Sequence, residues 1–163
     1  MSIHRPPSLK ISPPPRCRVA IAAARFNSQI VDELLAACVS RLEDLGIAKT
    51  RIEIHRVPGA FELPLAAQTL ARTGHFAAIV CLGAVIRGQT PHFDFVAGEC
   101  ARGIQHVALT ENLPVIFGVL TTDNQRQAMQ RIGRGKKHPH AGVAAAEAAV
   151  EMIAFQYGVK SNR

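Results

Sequence analysis

The sequence predicts a three-layer α/β/α sandwich built on a four-stranded parallel sheet. Three features carry that expectation. Short apolar runs alternate with longer stretches whose apolar residues recur every three or four positions, the βα alternation of a parallel sheet. The strongest run, AAIVCLGAVI, is continuously apolar, as a strand covered on both faces must be. Glycines and polar capping residues stand where one pattern gives way to the next.

The elements follow in order. Residues 18–24 (RVAIAAA) form a short buried strand. Ile30, Leu34, Cys38, Leu42 and Leu45 then make one apolar helical stripe, capped by Asn27 or Ser28 and stopped by Gly46 at C′. Residues 51–57 alternate Ile52 and Ile54 with charged neighbours, which marks an edge strand ended by Pro58-Gly59. A helix over 62–72 stops near Gly74. Residues 76–86 give the most continuously apolar strand, expected to be central, and a long helix covers 93–109. A fourth strand spans 114–120, with Thr121, Thr122 and Asp123 as caps for a helix over 124–132 that Gly133 ends. After the basic turn GRGKKHPHAG, an alanine-rich helix runs over 142–157. Right-handed crossovers place these helices on both faces of one parallel sheet, a flavodoxin-like arrangement.

At 163 residues the chain suits a single domain, expected over residues 17–163 behind a flexible proline-rich arm at 1–16. The arm lacks the apolar centre of a signal peptide, and no apolar run is long enough to cross a membrane. The formal net charge of +7 comes from scattered residues, apart from Arg134, Lys136 and Lys137, and accompanies no nucleic-acid motif. Neither nucleic acid nor membrane is expected as a partner. Cys17, Cys38, Cys81 and Cys100 are widely spaced without a C-x-x-C pair, which fits reduced thiols in a cytoplasmic protein. His138 and His140 have no carboxylate or thiolate at ligand spacing, so no metal site is expected and both are read as solvated turn residues.

Ligands of open α/β sheets bind beyond the C-terminal ends of the strands. Those ends carry Phe26 and Asn27 after the first strand and Ala60, Phe61 and Glu62 after the second. GAVIRGQTPHFDF follows within and after the third. Phe26 could be a hydrophobic lid, and Glu62 could simply complement a helix dipole. Gly88 allows a tight turn with exposed amides, and Gln89 and Thr90 precede a helix N-terminus, so this loop reads as a phosphate cradle. It lacks the spacing of a Walker loop. His92 stands beside it as either a surface histidine or a proton carrier. Arg131 reads either as the charged partner of a bound phosphate, which its fork can bind bidentately, or as a solvated helix arginine.

Four blocks together carry a resemblance: RFN at 25–27, VPGAFELP at 57–64, GAVIRGQTPHFDF at 83–95 and PVIFGVLTTDNQRQAMQR at 114–131. In order and spacing they resemble the 6,7-dimethyl-8-ribityllumazine synthase family, from about residue 18 to the end of the chain. The resemblance implies a transferase at the penultimate step of riboflavin synthesis. It condenses 5-amino-6-(D-ribitylamino)uracil with 3,4-dihydroxy-2-butanone 4-phosphate, without a cofactor, and releases phosphate and water. It further implies that Phe26 stacks on the pyrimidine, with Asn27 beside it, and that Ala60, Phe61 and Glu62 hold the ribitylamino-uracil. Ala84, Val85 and Ile86 would line the same pocket through backbone groups, Gln89, Thr90 and Arg131 would bind phosphate, and His92 would transfer protons. Phe117 would complete a neighbouring subunit's site, so homo-oligomerisation, as a pentamer, is implied.

Pro91 should stiffen the loop before His92. The turn GRGKKHPHAG departs from the GTKAGNKG of capsid-forming relatives, and a family lysine is replaced by His140 or Ala141. Neither Lys136 nor Lys137 is assigned its role. The longer turn favours an isolated pentamer or a pair of pentamers. Two other readings compete: a flavin- or lumazine-binding oligomer without turnover, and a basic structural or nucleic-acid-binding oligomer supported only by net charge. His92 and Arg131 favour the enzyme, because holding a ring and a ribityl chain requires neither. Arg87, which ends the third strand, receives no role.

Overall fold

A computed structural model describes residues 13–134 and 139–161. Its sheet is four-stranded and wholly parallel: β1 (Val19–Ala24), β2 (Ile52–Val57), β3 (Ala78–Ile86) and β4 (Val115–Thr122), in the spatial order β2-β1-β3-β4. The continuously apolar β1 and β3 hold the interior positions, and the alternating β2 is an edge, as its charged residues require. The other edge is β4.

The helices are α1 (Ser28–Asp44), α2 (Leu63–Arg72), α3 (His92–Thr110), α4 (Gln125–Met129) and α5 (Ala141–Ser161). Two apolar cores sandwich the sheet. On one face α1 and α5 bury Ile30, Leu34, Leu42, Ala146 and Val150 against Ile21, Val80 and Leu82. On the other, α2 and α3 bury Leu63, Ala67, Cys100 and Ile104 against Ala22, Ile79 and Cys81. The alanine-rich β1 is buried throughout, which lets layers on both sides approach closely. Among the described residues no helix is long and apolar enough to cross a membrane.

Several local expectations meet their physics here. Gly46 adopts φ +96°, and the Ile47 N–H donates to the Leu42 carbonyl at 2.9 Å, the glycine-dependent way to end a helix. The α1 cap differs from expectation. Asn27 sits at the cap position with φ 56° and ψ 42°, and its side chain makes no capping bond. Its amide instead donates to the Ala84 carbonyl at 2.8 Å, tying the β1–α1 junction to the end of β3.

The strongest departures lie near β4. The strand continues through Thr121 and Thr122, paired with Val85 and Ile86, where caps were expected. Thr122 is buried, and its hydroxyl donates to the Asn124 carbonyl at 3.1 Å. Asn124 itself caps α4, accepting the Gln127 N–H at 3.0 Å, while Gln127 accepts the Asp123 N–H at 2.9 Å. Helix α4 is also shorter than the expected 124–132. A wider-wound turn takes over at Gln130–Arg134, because Ile132 leaves helical geometry and Gly133 turns left-handed at φ 82°.

Cys38, Cys81 and Cys100 are free and buried, and Cys17 is free and half-buried. Burial pushes the Cys38 and Cys100 thiols up to about 12, and the Cys81 thiol upward too. These groups are core filler, not nucleophiles. His140 departs from the solvated reading. It is half-buried, and its Nδ1 accepts the Gly142 N–H at 3.1 Å at the start of α5, so the ring serves as a helix cap. Burial lowers its pKa, opposed by the charge of Glu33. Lys136, Lys137 and His138 lie outside the described residues.

Candidate active site

A parallel sheet brings the C-terminal ends of its strands to one edge, and that edge holds a cavity of about 540 Å³. Its size suits a small organic molecule. The wall is assembled from four places in the sequence.

Phe26 and Asn27 come from the β1–α1 junction, where the Phe26 N–H donates to the Pro58 carbonyl at 3.1 Å. That bond sets the ring beside the β2 loop. The ring lines the cavity and is 72% exposed, so its face is open on this edge of the sheet. The loop after β2 forms a 3-10 turn, Ala60–Glu62, contributing buried Ala60 with exposed Phe61 and Glu62. Glu62 makes no capping bond to α2, although it stands at the cap position. A Cβ on Gly59 would lie 3.2 Å from Glu62 Oε2, so the bare glycine leaves room for the carboxylate.

The third wall is the end of β3. Ala84, Val85 and Ile86 all line the cavity, with the Ala84 carbonyl already engaged by Asn27. The fourth is the loop and first turns of α3: Gly88, Thr90, His92, Phe93, Phe95 and Val96. His92 is the first residue of α3, so helix amides lie beside it. Gly88 is not in the left-handed region, and a Cβ there would meet nothing within 4 Å. A left-handed turn therefore does not explain it, and neither does a close approach. Gln89 is exposed and lies off the cavity wall, one residue from Thr90.

Two predicted residues stand elsewhere. Phe117 and Arg131 line a second cavity, of about 390 Å³, between β4, α5 and the turn after α4. Within one chain Arg131 does not join Thr90, and Phe117 does not join Phe26. This second cavity adjoins the unpaired edge of the sheet, and Phe117 is 42% exposed there.

Phe93, Phe95 and Val96 were missed as lining residues. Their signal was present in the aromatic pair flanking Asp94. Arg87 was also left without a role, yet it makes the densest set of polar contacts around the loop. Its guanidinium donates to both carboxylate oxygens of Asp94, at 3.1 and 2.8 Å. Its Nε lies 3.5 Å from Asp123 Oδ1, and its carbon sits 4.1 Å over the Phe93 ring. The pairing holds the Asp94 carboxyl below its usual range, chiefly through the hydrogen bonds from Arg87. Among the described residues, no group of three or more histidine, cysteine or acidic side chains is arranged to hold a metal.

Comparison with known proteins is consistent in kind. The family model described as 6,7-dimethyl-8-ribityllumazine synthase matches residues 16–156. A protein of Protochlamydia amoebophila (strain UWE25) named 6,7-dimethyl-8-ribityllumazine synthase is 49% identical over 138 residues, 85% of this chain and 79% of that protein.

Proposed function

The chain belongs to the 6,7-dimethyl-8-ribityllumazine synthase family, transferases of riboflavin biosynthesis, and from that premise we propose how its own residues carry the reaction. The observation that supports the reading best is the single cavity shared by Phe26, Glu62, Thr90 and His92. An aromatic face, a carboxylate, a hydroxyl beside helix amides and an imidazole answer four features of the substrates. These are a flat pyrimidine, a ribityl chain, a phosphate and protons in transit.

The 5-amino group of 5-amino-6-(D-ribitylamino)uracil attacks the ketone of 3,4-dihydroxy-2-butanone 4-phosphate. Water leaves as the imine forms, phosphate is eliminated, and the ribitylamino nitrogen closes the second ring with loss of water. The substrate supplies the nucleophile, which suits a cavity whose wall contains no cysteine or lysine. The protein's task is to hold two molecules together, worth a large effective concentration, and to move protons.

In this reading Phe26 stacks on the pyrimidine, with Asn27 setting its junction, and Ala60, Phe61, Ala84, Val85 and Ile86 complete the slot. Glu62 accepts from ribityl hydroxyls. Gln89 and Thr90, with the amides at the start of α3, hold the phosphate. His92 carries protons between the reacting carbons and solvent. Arg131 and Phe117 serve the site of the adjacent subunit, which accounts for their shared place beside an open sheet edge. Exposed Phe95, Leu109, Phe155 and Tyr157 add apolar surface for a ring of subunits. A pentamer or pair of pentamers in the cytoplasm, where unpaired thiols stay reduced, completes the proposal.

Steady-state kinetics test the assignments. Glu62→Gln should raise KM for the pyrimidine about tenfold, since a charge-assisted acceptor is replaced by a neutral one. His92→Ala should lower kcat by about a hundredfold at most, the low end for acid–base catalysis, because the amine and ketone also condense unaided. An unchanged kcat would remove His92 from proton transfer.

A further inference from the structure

Arg87 lies outside the cavity wall, yet its contacts span the loop that carries Gln89, Thr90 and His92. Its backbone N–H donates to the Thr122 carbonyl at 2.9 Å, closing the β3–β4 ladder. Its side chain then reaches seven residues forward to Asp94 in the first turn of α3, and across to Asp123 at the end of β4. The flat face of the guanidinium rests on Phe93, which is itself a cavity residue. Both ends of the 88–92 segment are therefore fastened by one side chain. The segment has little else to hold it: Gly88, Gln89, Thr90, Pro91 and His92 are all exposed.

We propose that Arg87 is a positioning residue that clamps the β3–α3 loop and so fixes Thr90 and His92 against the reacting atoms. This rests on the function proposed above. Arginine suits the place because a planar fork can bind one carboxylate with two parallel bonds while its face stacks on a ring. Lysine can match the charge but neither geometry. The same guanidinium also offsets the charge of Asp94, keeping that carboxylate near an anion site from acting as a free negative charge.

The experiment compares Arg87→Gln, Arg87→Lys and Asp94→Asn in the full-length protein, each alone and with His92→Ala. Arg87→Gln should reduce kcat/KM for the phosphate-bearing substrate by up to about a hundredfold, the cost of a small misplacement of reacting groups. Arg87→Lys should restore only part of it, and Asp94→Asn should fall in the same direction. Affinity for the pyrimidine, set by Phe26 and Glu62 on other elements, should stay as in the parent. In the His92→Ala background Arg87→Gln should add little to the loss in kcat, because the proton carrier it positions is gone, while its effect on KM for the phosphate-bearing substrate, exerted through Thr90, should persist. Losses in kcat that multiply fully in that background, or a parallel loss of pyrimidine affinity, would overturn the proposal. Amide exchange separates its failure from failure of the enzymatic reading. Residues 88–92 should exchange faster in Arg87→Gln even if the parent forms no lumazine, and unchanged exchange would show that Arg87 is no clamp.

Discussion

Arg131→Ala is expected to raise KM for 3,4-dihydroxy-2-butanone 4-phosphate roughly tenfold to a hundredfold, leaving pyrimidine affinity unchanged. Losing hydrogen bonds from a charged donor is worth about 1.5–3 kcal/mol, and 1.4 kcal/mol is a factor of ten. The geometry adds a sharper expectation. Arg131 and Phe117 share one cavity, while Phe26, Glu62, Thr90 and His92 share another. If each active site joins one cavity of each kind from adjacent subunits, two crippled variants should rescue each other. In a ring of head-to-tail interfaces, co-expressed Arg131→Ala and Glu62→Ala chains mixing at random leave about one interface in four with both halves intact. Activity near a quarter of the parent is the expected yield. Co-expressed chains no better than either variant alone would place Arg131 in its own subunit's site or outside any site.

Gly142→Ala is expected to cost about 3 kcal/mol of stability, the upper end of ordinary overpacking. At Gly142 the start of α5 meets the backbone of α1. A Cβ there would clash with the Leu34 carbonyl oxygen and lie 3.1 Å from the Leu34 carbonyl carbon and Cα. These are backbone atoms, so no side chain can rotate aside, and α5 must lift from the Ile30, Leu34 and Leu42 face. For a chain of this length the loss corresponds to a fall in Tm of roughly 6–12 °C. Gly98→Ala is the control. Gly98 is helical, and its Cβ would meet nothing within 4 Å, so helix propensity should make that change neutral or stabilising by up to about 1 kcal/mol. Denaturant midpoints at one protein concentration would read both. Equal midpoints for the two variants would contradict the packing account.

The sheet was legible because its signals are local. Continuous apolar runs marked β1 and β3 as interior, alternation marked β2 as an edge, and Gly46 marked its helix end. The first cavity was legible by topology, since every parallel strand delivers its following loop to the same edge. What stayed hidden depended on distant partners. Thr121 and Thr122 look like caps until their pairing with Val85 and Ile86 is known. Asn27 looks like a helix cap until its amide is found on Ala84, fifty-seven residues away. The separation of Arg131 from Thr90 follows from the face each helix covers: Ala128 and Ile132 pack into the α1–α5 core while α3, which Thr90 precedes, packs into the other, a choice that helical periodicity cannot express. Arg87 carried a readable hint in its forward spacing to Asp94, but its second anchor, Asp123, lies on a different strand connection.

The most direct test of the account is turnover by the unmodified protein. Purified chain mixed with both substrates should form the fluorescent lumazine well above the spontaneous rate, with one phosphate released for each lumazine formed. Product appearing only at the spontaneous rate, while added lumazine still binds the protein, would contradict the enzymatic account and leave a binding oligomer in its place.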